Sequence, residues 1–471
     1  MGDKMKIKIF NQVINIAVIS FMAVQIIFGL IWMIQNVNSV PGFGDTPEYI
    51  KLSESMKVDE YRTIFYPFLL KCSIALEHRL GIAYHYFMYA GQTVLCYVCI
   101  LYMVHFLFKH ILKESKLFKE VYVSLYLLTI PMITFHNLTI LPDSLALSAL
   151  LVVITQLVKF ITESVNIKDS VIFFLAIMLE LMIRADRIYS LSIVVLIYCV
   201  VGLIKSKDWK KYLTVILLTF FAVVLNLGIN SVTQKKGYYG RVETNLPFVL
   251  LDRVVFPHMT ENYEYFSDEI KANVTIEDAQ LFDSHNNHVM YSFAPMLESK
   301  VGKEKASEMY VEMAKVVWKN DKSKVISEIF YKFRLMFFMP IYGDLCMKGK
   351  VWTNFGWLYY NFSQVNEKLT RNYIKFYDIG FAYIVLGLSV LLTILGIAFK
   401  NSRQQILHWL KALALYFIIL FVIVLWFAVG DGDGANHRYV LLGYIIFTIL
   451  PVGVFSEFNR LINDKNGGNA E

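Results

Sequence analysis

The chain has 471 residues, of which 56% are hydrophobic and 15% aromatic, and a formal net charge of +7, with a mean hydropathy of +0.50. Apolar usage well above the roughly 45–50% of an ordinary soluble domain marks an integral membrane protein. The basic excess sits at the ends of apolar runs and does not point to nucleic acid. The cysteines Cys72, Cys96, Cys99, Cys199 and Cys346 fall mostly in apolar segments, so neither a disulfide framework nor a zinc site is readable.

At the N-terminus, "MGDKMKIKIF" precedes an apolar run over 13–33. That run is too long for a signal peptide and lacks a small-residue cleavage site, so it reads as an uncleaved anchor. About 20 apolar residues cross roughly 30 Å of hydrocarbon. The remaining runs are 82–108, 121–135, 145–160, 171–183, 188–204, 213–229, 379–399, 412–429 and 440–454, which predicts about ten crossings. Lys4, Lys6 and Lys8 precede the first, "KHILKESKLFKE" follows 82–108, "KSKDWKK" follows 188–204 and "KNSRQQ" follows 379–399. An N-terminus inside the cell places all of these lysines in the cytoplasm, together with the C-terminus. Counting 325–342 as a crossing would move Lys400, Arg403 and Arg460 outside, and the segment contains Lys332 and Arg334, so it reads as an interfacial helix.

Three segments then lie outside: 35–72, 230–378 and "GDGDGANHRY" before the last span. The long one mixes both charge signs, and in "KASEMYVEMAKVVW" Ala306, Met309, Met313 and Val316 share a helix face. The expected fold is an all-α membrane bundle with interfacial helices in its first external loop and a small, mainly helical extracytoplasmic cap. Its divisions are a transmembrane catalytic module over 1–229, the cap and interfacial helices over 230–378, and C-terminal transmembrane helices over 379–471. "HNNH" (285–288) has no third ligand and reads as a surface loop. "GDGDG" lacks the later ligands of a calcium loop and reads as a turn. No metal site is expected.

The run 171–183 would make only some 20 Å of helix and ends in "RADR", placing Arg184, Asp186 and Arg187 below the outer surface. Charge at that depth is tolerated where it lines a cavity or meets water. Asp186 with either arginine equally suits a structural ion pair. The brief run 121–135 leads through "HNLTILPDS" to Asp143, which suits a helix N-cap as well as a pocket acid. In "PGFGDTPEYIKLSESMKVDEYRTIFYP", Asp45 can cap the helix that Pro47 opens or stand free as a base. Glu54, Asp59 and Glu60 read as a solvated face, and Tyr49, Tyr66 and Pro67 as interfacial packing.

A pocket facing outward, with acids on one loop and arginines at headgroup level, fits a donor with a lipid tail, a phosphate and a sugar to transfer. Arginine holds phosphate through bidentate charge-assisted bonds, and a carboxylate takes the proton of an acceptor hydroxyl. "GDTPEYIKLSESM" with "YRTIFYPFLLK" resembles the first external loop of the GT-C superfamily of polyprenyl-phosphate-sugar glycosyltransferases. "LPDSLALSALLVV", "IRADRIYSLSIVVL" and "HRYVLLGYIIFTILP" resemble its later acid, its arginine turn and its last helices. The nearest resemblance is to the protein O-mannosyltransferase and aminoarabinose-transferase-like branch. It covers the first 205 or so residues, then only short pieces.

The resemblance implies an inverting displacement at the anomeric carbon, without nucleotide or other cofactor. Asp45 would be the general base and Asp143 a second catalytic acid. Arg62 with Arg184 or Arg187 would bind donor phosphate, helped by His437 and Arg438, with Tyr49 and Asp186 also lining the substrate site. The paired acid some members carry is "DT" here, leaving Glu48 one turn on as substitute, and "RADR" has Ala where Pro is frequent. The implied partners are the lipid bilayer, a polyprenyl-phosphate sugar and an acceptor of unspecified kind. Two other classes compete: a lipid-linked glycan flippase or transporter, which would show paired interrupted halves, and a polysaccharide polymerase or ligase.

Overall fold

The computed structural model describes residues 2–38, 45–56, 62–114, 116–162, 165–184, 187–205, 209–235, 247, 250–282, 292–346, 367–398, 400–430 and 437–467. Among these residues every regular element is helical and no strand occurs. Two compact units are present. One comprises Met1–Val242, Pro340–Val422 and His437–Glu471, the other Glu243–Met339 and Ile423–Asn436.

The first unit begins with α1 (Gly2–Asn36), α2 (Thr46–Ser55), α3 (Phe65–Leu80) and α4 (Tyr84–Phe106), which runs on as a π-helical turn over Leu107–Leu112. Next come α5 (Leu117–Leu128), α6 (Pro131–Asn137), α7 (Asp143–Thr162), α8 (Ile167–Ile183), α9 (Arg187–Lys205) and α10 (Trp209–Lys235). Six described stretches are long and apolar enough to cross a bilayer: Gln12–Asn36, Tyr84–Leu112, Asp143–Ile161, Arg187–Ile204, Trp209–Val232 and Ile406–Trp426. The pair α5 and α6, taken as one, makes a seventh. The chain is a multi-pass helical membrane protein. In α7 83% of the apolar window is buried, against 22% in α1 and 28% in α10, so α7 is central while the outer helices turn Ile16, Ile34, Leu217 and Phe220 outward. Such apolar surface is at home in hydrocarbon.

The expected segment 121–135 is broken rather than merely short. Ile130 is extended (φ −63, ψ 128) because Pro131 opens α6, and the axes of α5 and α6 meet at 77°. The segment expected over 171–183 is 17 residues long, since Asn166 caps its N-terminus by accepting from the Asp169 N–H at 2.8 Å. It is therefore about 26 Å of helix, longer than expected but still short of a full crossing.

The second unit holds short helices α11 (Met259–Asn262), α12 (Asp268–Asn273), α13 (Ile276–Phe282) and α14 (Ala294–Val301), and much of α15 (Lys303–Cys346). Its core gathers Met259, Ile270, Phe293, Leu297, Tyr310 and Val317. The face expected on α15 is present, with Ala306, Met309 and Met313 buried, but Val317 fills the core where Val316 is only partly covered. The segment 325–342 is not a separate element: it is the continuation of α15 without a break. "HNNH" and residues 431–434 of "GDGDG" lie outside the described residues.

The first unit resumes with α16 (Glu367–Tyr377), a π-helical stretch over Asp378–Val385, α17 (Leu386–Ala398), α18 (Lys400–Gly430) as far as Val422, a 3₁₀ turn over His437–Val440, and α19 (Leu441–Gly467). The expected span 379–399 is thus divided between π and α geometry. α1 is tied to α16 by the Trp32 indole, which donates to Thr370 at 2.8 Å. The same neighbourhood needs Gly29, where a Cβ would come within 2.6 Å of Thr129 and 2.8 Å of the Tyr373 hydroxyl.

Candidate functional site

Five chain segments converge in the first unit: the start of α2, the residues before α3, the junction of α6 with α7, the end of α8 and the 3₁₀ turn before α19. Polar ties hold them together. Thr46 donates to the Ile140 carbonyl at 3.2 Å, and Thr63 to the Ile183 carbonyl at 2.8 Å. Tyr66 donates to Gln92 at 2.9 Å, and the Gln92 amide in turn donates to the Asn137 and Thr139 carbonyls at 3.1 and 3.0 Å. Buried backbone carbonyls require such partners, so Gln92, in the middle of the apolar α4, fixes the turn that presents Asp143.

On this frame two carboxylates meet three guanidinium groups. Asp45 Oδ1 accepts from Arg62 at 3.1 Å and its Oδ2 from Arg438 at 2.7 Å. Asp143 Oδ1 accepts from Arg184 at 2.7 Å, and Nε of the same Arg438 lies 3.7 Å away. Arg438 therefore bridges the acids. Asp45 occupies the N-cap position of α2, yet its side chain makes no capping bond; both oxygens are turned to arginines. Asp143 is the first residue of α7, and its Oδ2 is buried without a hydrogen-bond partner among the described residues. The Arg62 guanidinium lies 5.5 Å from the Tyr49 ring centroid, and Tyr49 packs edge-on against Tyr66 at 5.2 Å.

The two acids differ in access: the Asp45 side chain is 32% exposed and that of Asp143 only 1%. Partial burial pushes the Asp45 carboxyl up, but Arg438 and then Arg62 outweigh it and hold it below the ordinary carboxylate range. Burial pushes the Tyr49 phenol up, so it stays protonated. Two carboxylates and three guanidinium groups thus share one cluster.

Arg184 joins the acid cluster, while Arg187 turns back to Glu180, with Nε 3.3 Å from Oε1 and side chains 6% and 0% exposed. Sequence reasoning passes over Glu180, though a lone carboxylate inside an apolar run is itself a signal. Glu48, the expected substitute acid, is exposed on α2 and is not part of the cluster. Glu54 is exposed as expected, while Tyr49 and Tyr66 are buried in packing. Asp59, Glu60 and Asp186 fall outside the described residues, as does the side chain of His437. Among the described residues no three His, Cys, Asp or Glu side chains are grouped to hold a metal ion; Cys72, Cys96, Cys99 and Cys199 are free thiols.

Fold and cluster together define a multi-pass helical membrane protein with acids and arginines gathered where its helices begin and end. Compared with known proteins, the chain matches no family model, no curated sequence and no solved structure.

Proposed function

We propose that the protein is a glycosyltransferase of GT-C type that moves a sugar from a polyprenyl-phosphate donor to an acceptor on the extracytoplasmic side of the membrane. The observation that carries this reading is a solvent-reached carboxylate, Asp45, bonded to two arginines, one of which also reaches the buried Asp143. That is the pairing of base and anion clamp that such a transfer needs. The sidedness rests on charge. The cluster forms where α7 begins and α8 ends, whereas Lys159, Lys168, Lys205 and Lys210 mark the opposite ends of α7 to α10, and lysine-rich ends stay in the cytoplasm.

In this mechanism Arg62, Arg184 and Arg438 bind the donor phosphate. The acceptor hydroxyl gives its proton to Asp45 as its oxygen bonds to the anomeric carbon from the face opposite the phosphate. The carbon–oxygen bond to phosphate breaks, and the leaving polyprenyl phosphate takes the electron pair, so the configuration inverts. Asp45 held by two arginines is a weak base. Donor phosphate competing for Arg62 and Arg438 loosens that hold and raises the basicity of Asp45 when the sugar arrives. Asp143, sealed from solvent, serves as a positioning residue that aims Arg184 and Arg438.

The test is transfer by purified protein from a polyprenyl-phosphate sugar, with Asp45→Asn as the comparison. The expected loss is about 10²–10⁴-fold with donor binding retained, the usual worth of a general base. Full activity in Asp45→Asn removes the base, and lipid moved across liposomes with no sugar transferred replaces the enzyme by a flippase.

A further inference from the structure

At the other end of α8 from Arg184 a groove of about 590 Å³ opens between α8 and α10. A helix of 17 residues, about 26 Å, separates it from the acid–arginine cluster. Its wall is apolar: Val171, Phe174, Leu218 and Phe221 line it, and the rings of Phe174 and Phe221 stack at 5.6 Å. Its mouth is basic, with Lys210 and Lys211 at the first turn of α10, facing the N-terminus of α8. The carboxylate of the first turn of α8, Asp169, is paired to Lys159 at 2.8 Å. Trp209, 57% exposed beside the lysines, is a residue type that settles at the headgroup level of a bilayer.

An apolar trough as long as several helical turns suits an acyl chain, and a pair of lysines with the positive end of a helix suits a phosphate diester. We infer that this groove binds an anionic phospholipid, its phosphate at Lys210 and Lys211 and one acyl chain along Phe174, Leu218 and Phe221. The bound lipid wedges α8 against α10. The site is separate from the proposed transferase centre, and none of its residues touches Asp45, Asp143 or their arginines.

The experiment is native mass spectrometry of the full chain released from nanodiscs of phosphatidylcholine containing a minor share of phosphatidylglycerol. The wild type is expected to retain phosphatidylglycerol over phosphatidylcholine by about tenfold, in line with the usual attraction per lysine at an anionic surface. Lys210→Glu with Lys211→Glu abolishes the preference. Leu218→Trp, which fills the trough, lowers phosphatidylglycerol retention with both lysines intact. Phe221→Ala, at a side chain 57% exposed, lowers it in the same way and stands in should Leu218→Trp fail to fold. Equal retention of the two lipids by the wild type overturns the inference, as does undiminished phosphatidylglycerol on the charge-reversed protein. Retention unaffected by either trough variant also overturns it, because the lipid is then held by its headgroup alone. Because retention is read without any sugar transfer, failure here and failure of the transferase reading are distinct results.

Discussion

Arg184 and Arg187 stand three residues apart at one helix break, and their surroundings differ in kind. Arg187 and Glu180 are sealed from solvent, at 6% and 0% exposure, and face each other. Arg184 enters a set of two acids and three arginines in which one acid, Asp45, is 32% exposed. A sealed pair ties α8 to α9 across the break, and exchanging its partner for a ligand would leave a buried charge uncompensated. A set reached by water can exchange its partners for a ligand's phosphate at lower cost. Burial, rather than the presence of arginine, separates the two surroundings.

The sharpest way to break that contrast is at its bridge. Arg438→Ala removes the group that touches both acids, and transfer is expected to fall about 10²–10³-fold, as for loss of one clamp on a departing anion. It should also change the pH profile. Asp45 lies below its ordinary value because of Arg438 and Arg62, so the wild-type kcat/KM is expected to be flat above the usual carboxylate range and to fall only as pH drops through the depressed value. Without Arg438 the acidic limb moves to higher pH. The same sign governs folding: the contribution of the Asp45 contacts is complete above the unfolded pKa of about 3.9 and is lost as pH falls through the folded value. A limb that stays in place would show that Arg438 does not tune the base.

How far the sequence discloses this site depends on the kind of signal. Asp45, Asp143, Arg62, Arg184 and Arg438 stand out because charge next to apolar runs is costly and therefore conspicuous. The helical bundle follows from the runs themselves. Contacts are another matter. Asp45 and Arg438 meet across 393 positions of chain, and no local spacing records that. The partner of Arg187 is hidden for the opposite reason, because Glu180 sits about two turns back inside a run that reads as apolar throughout. Helix ends also escape: the Asn166 cap lengthens α8, and Pro131 bends the segment before Asp143, so of the two runs expected to be short one is a 17-residue helix and the other is broken.

The sealed pair offers the complementary experiment. Glu180→Gln leaves the Arg187 charge buried with a neutral neighbour, and the usual cost of breaking such a pair is about 3 kcal/mol or more. Denaturation of the variant should show that loss, while donor affinity changes by less than about threefold, the distinction between a structural tie and a ligand contact. Loss of donor binding with unchanged stability would move Glu180 and Arg187 into the site and erase the contrast between the two arginines.

The smallest effect belongs to Glu48. It follows Asp45 by one helical turn on α2, the spacing at which a second acid would share its face, and the resemblance to lipid-linked-sugar transferases gives it a substrate role. The structure leaves it exposed while Asp45 turns inward to Arg62 and Arg438. An exposed carboxylate contributes little Coulomb energy to a site it does not touch, because water and salt screen it. Glu48→Gln is therefore expected to keep transfer within about twofold of wild type. A loss approaching that of Asp45→Asn would mean that α2 rotates when donor binds and that the first turn presents two acids rather than one.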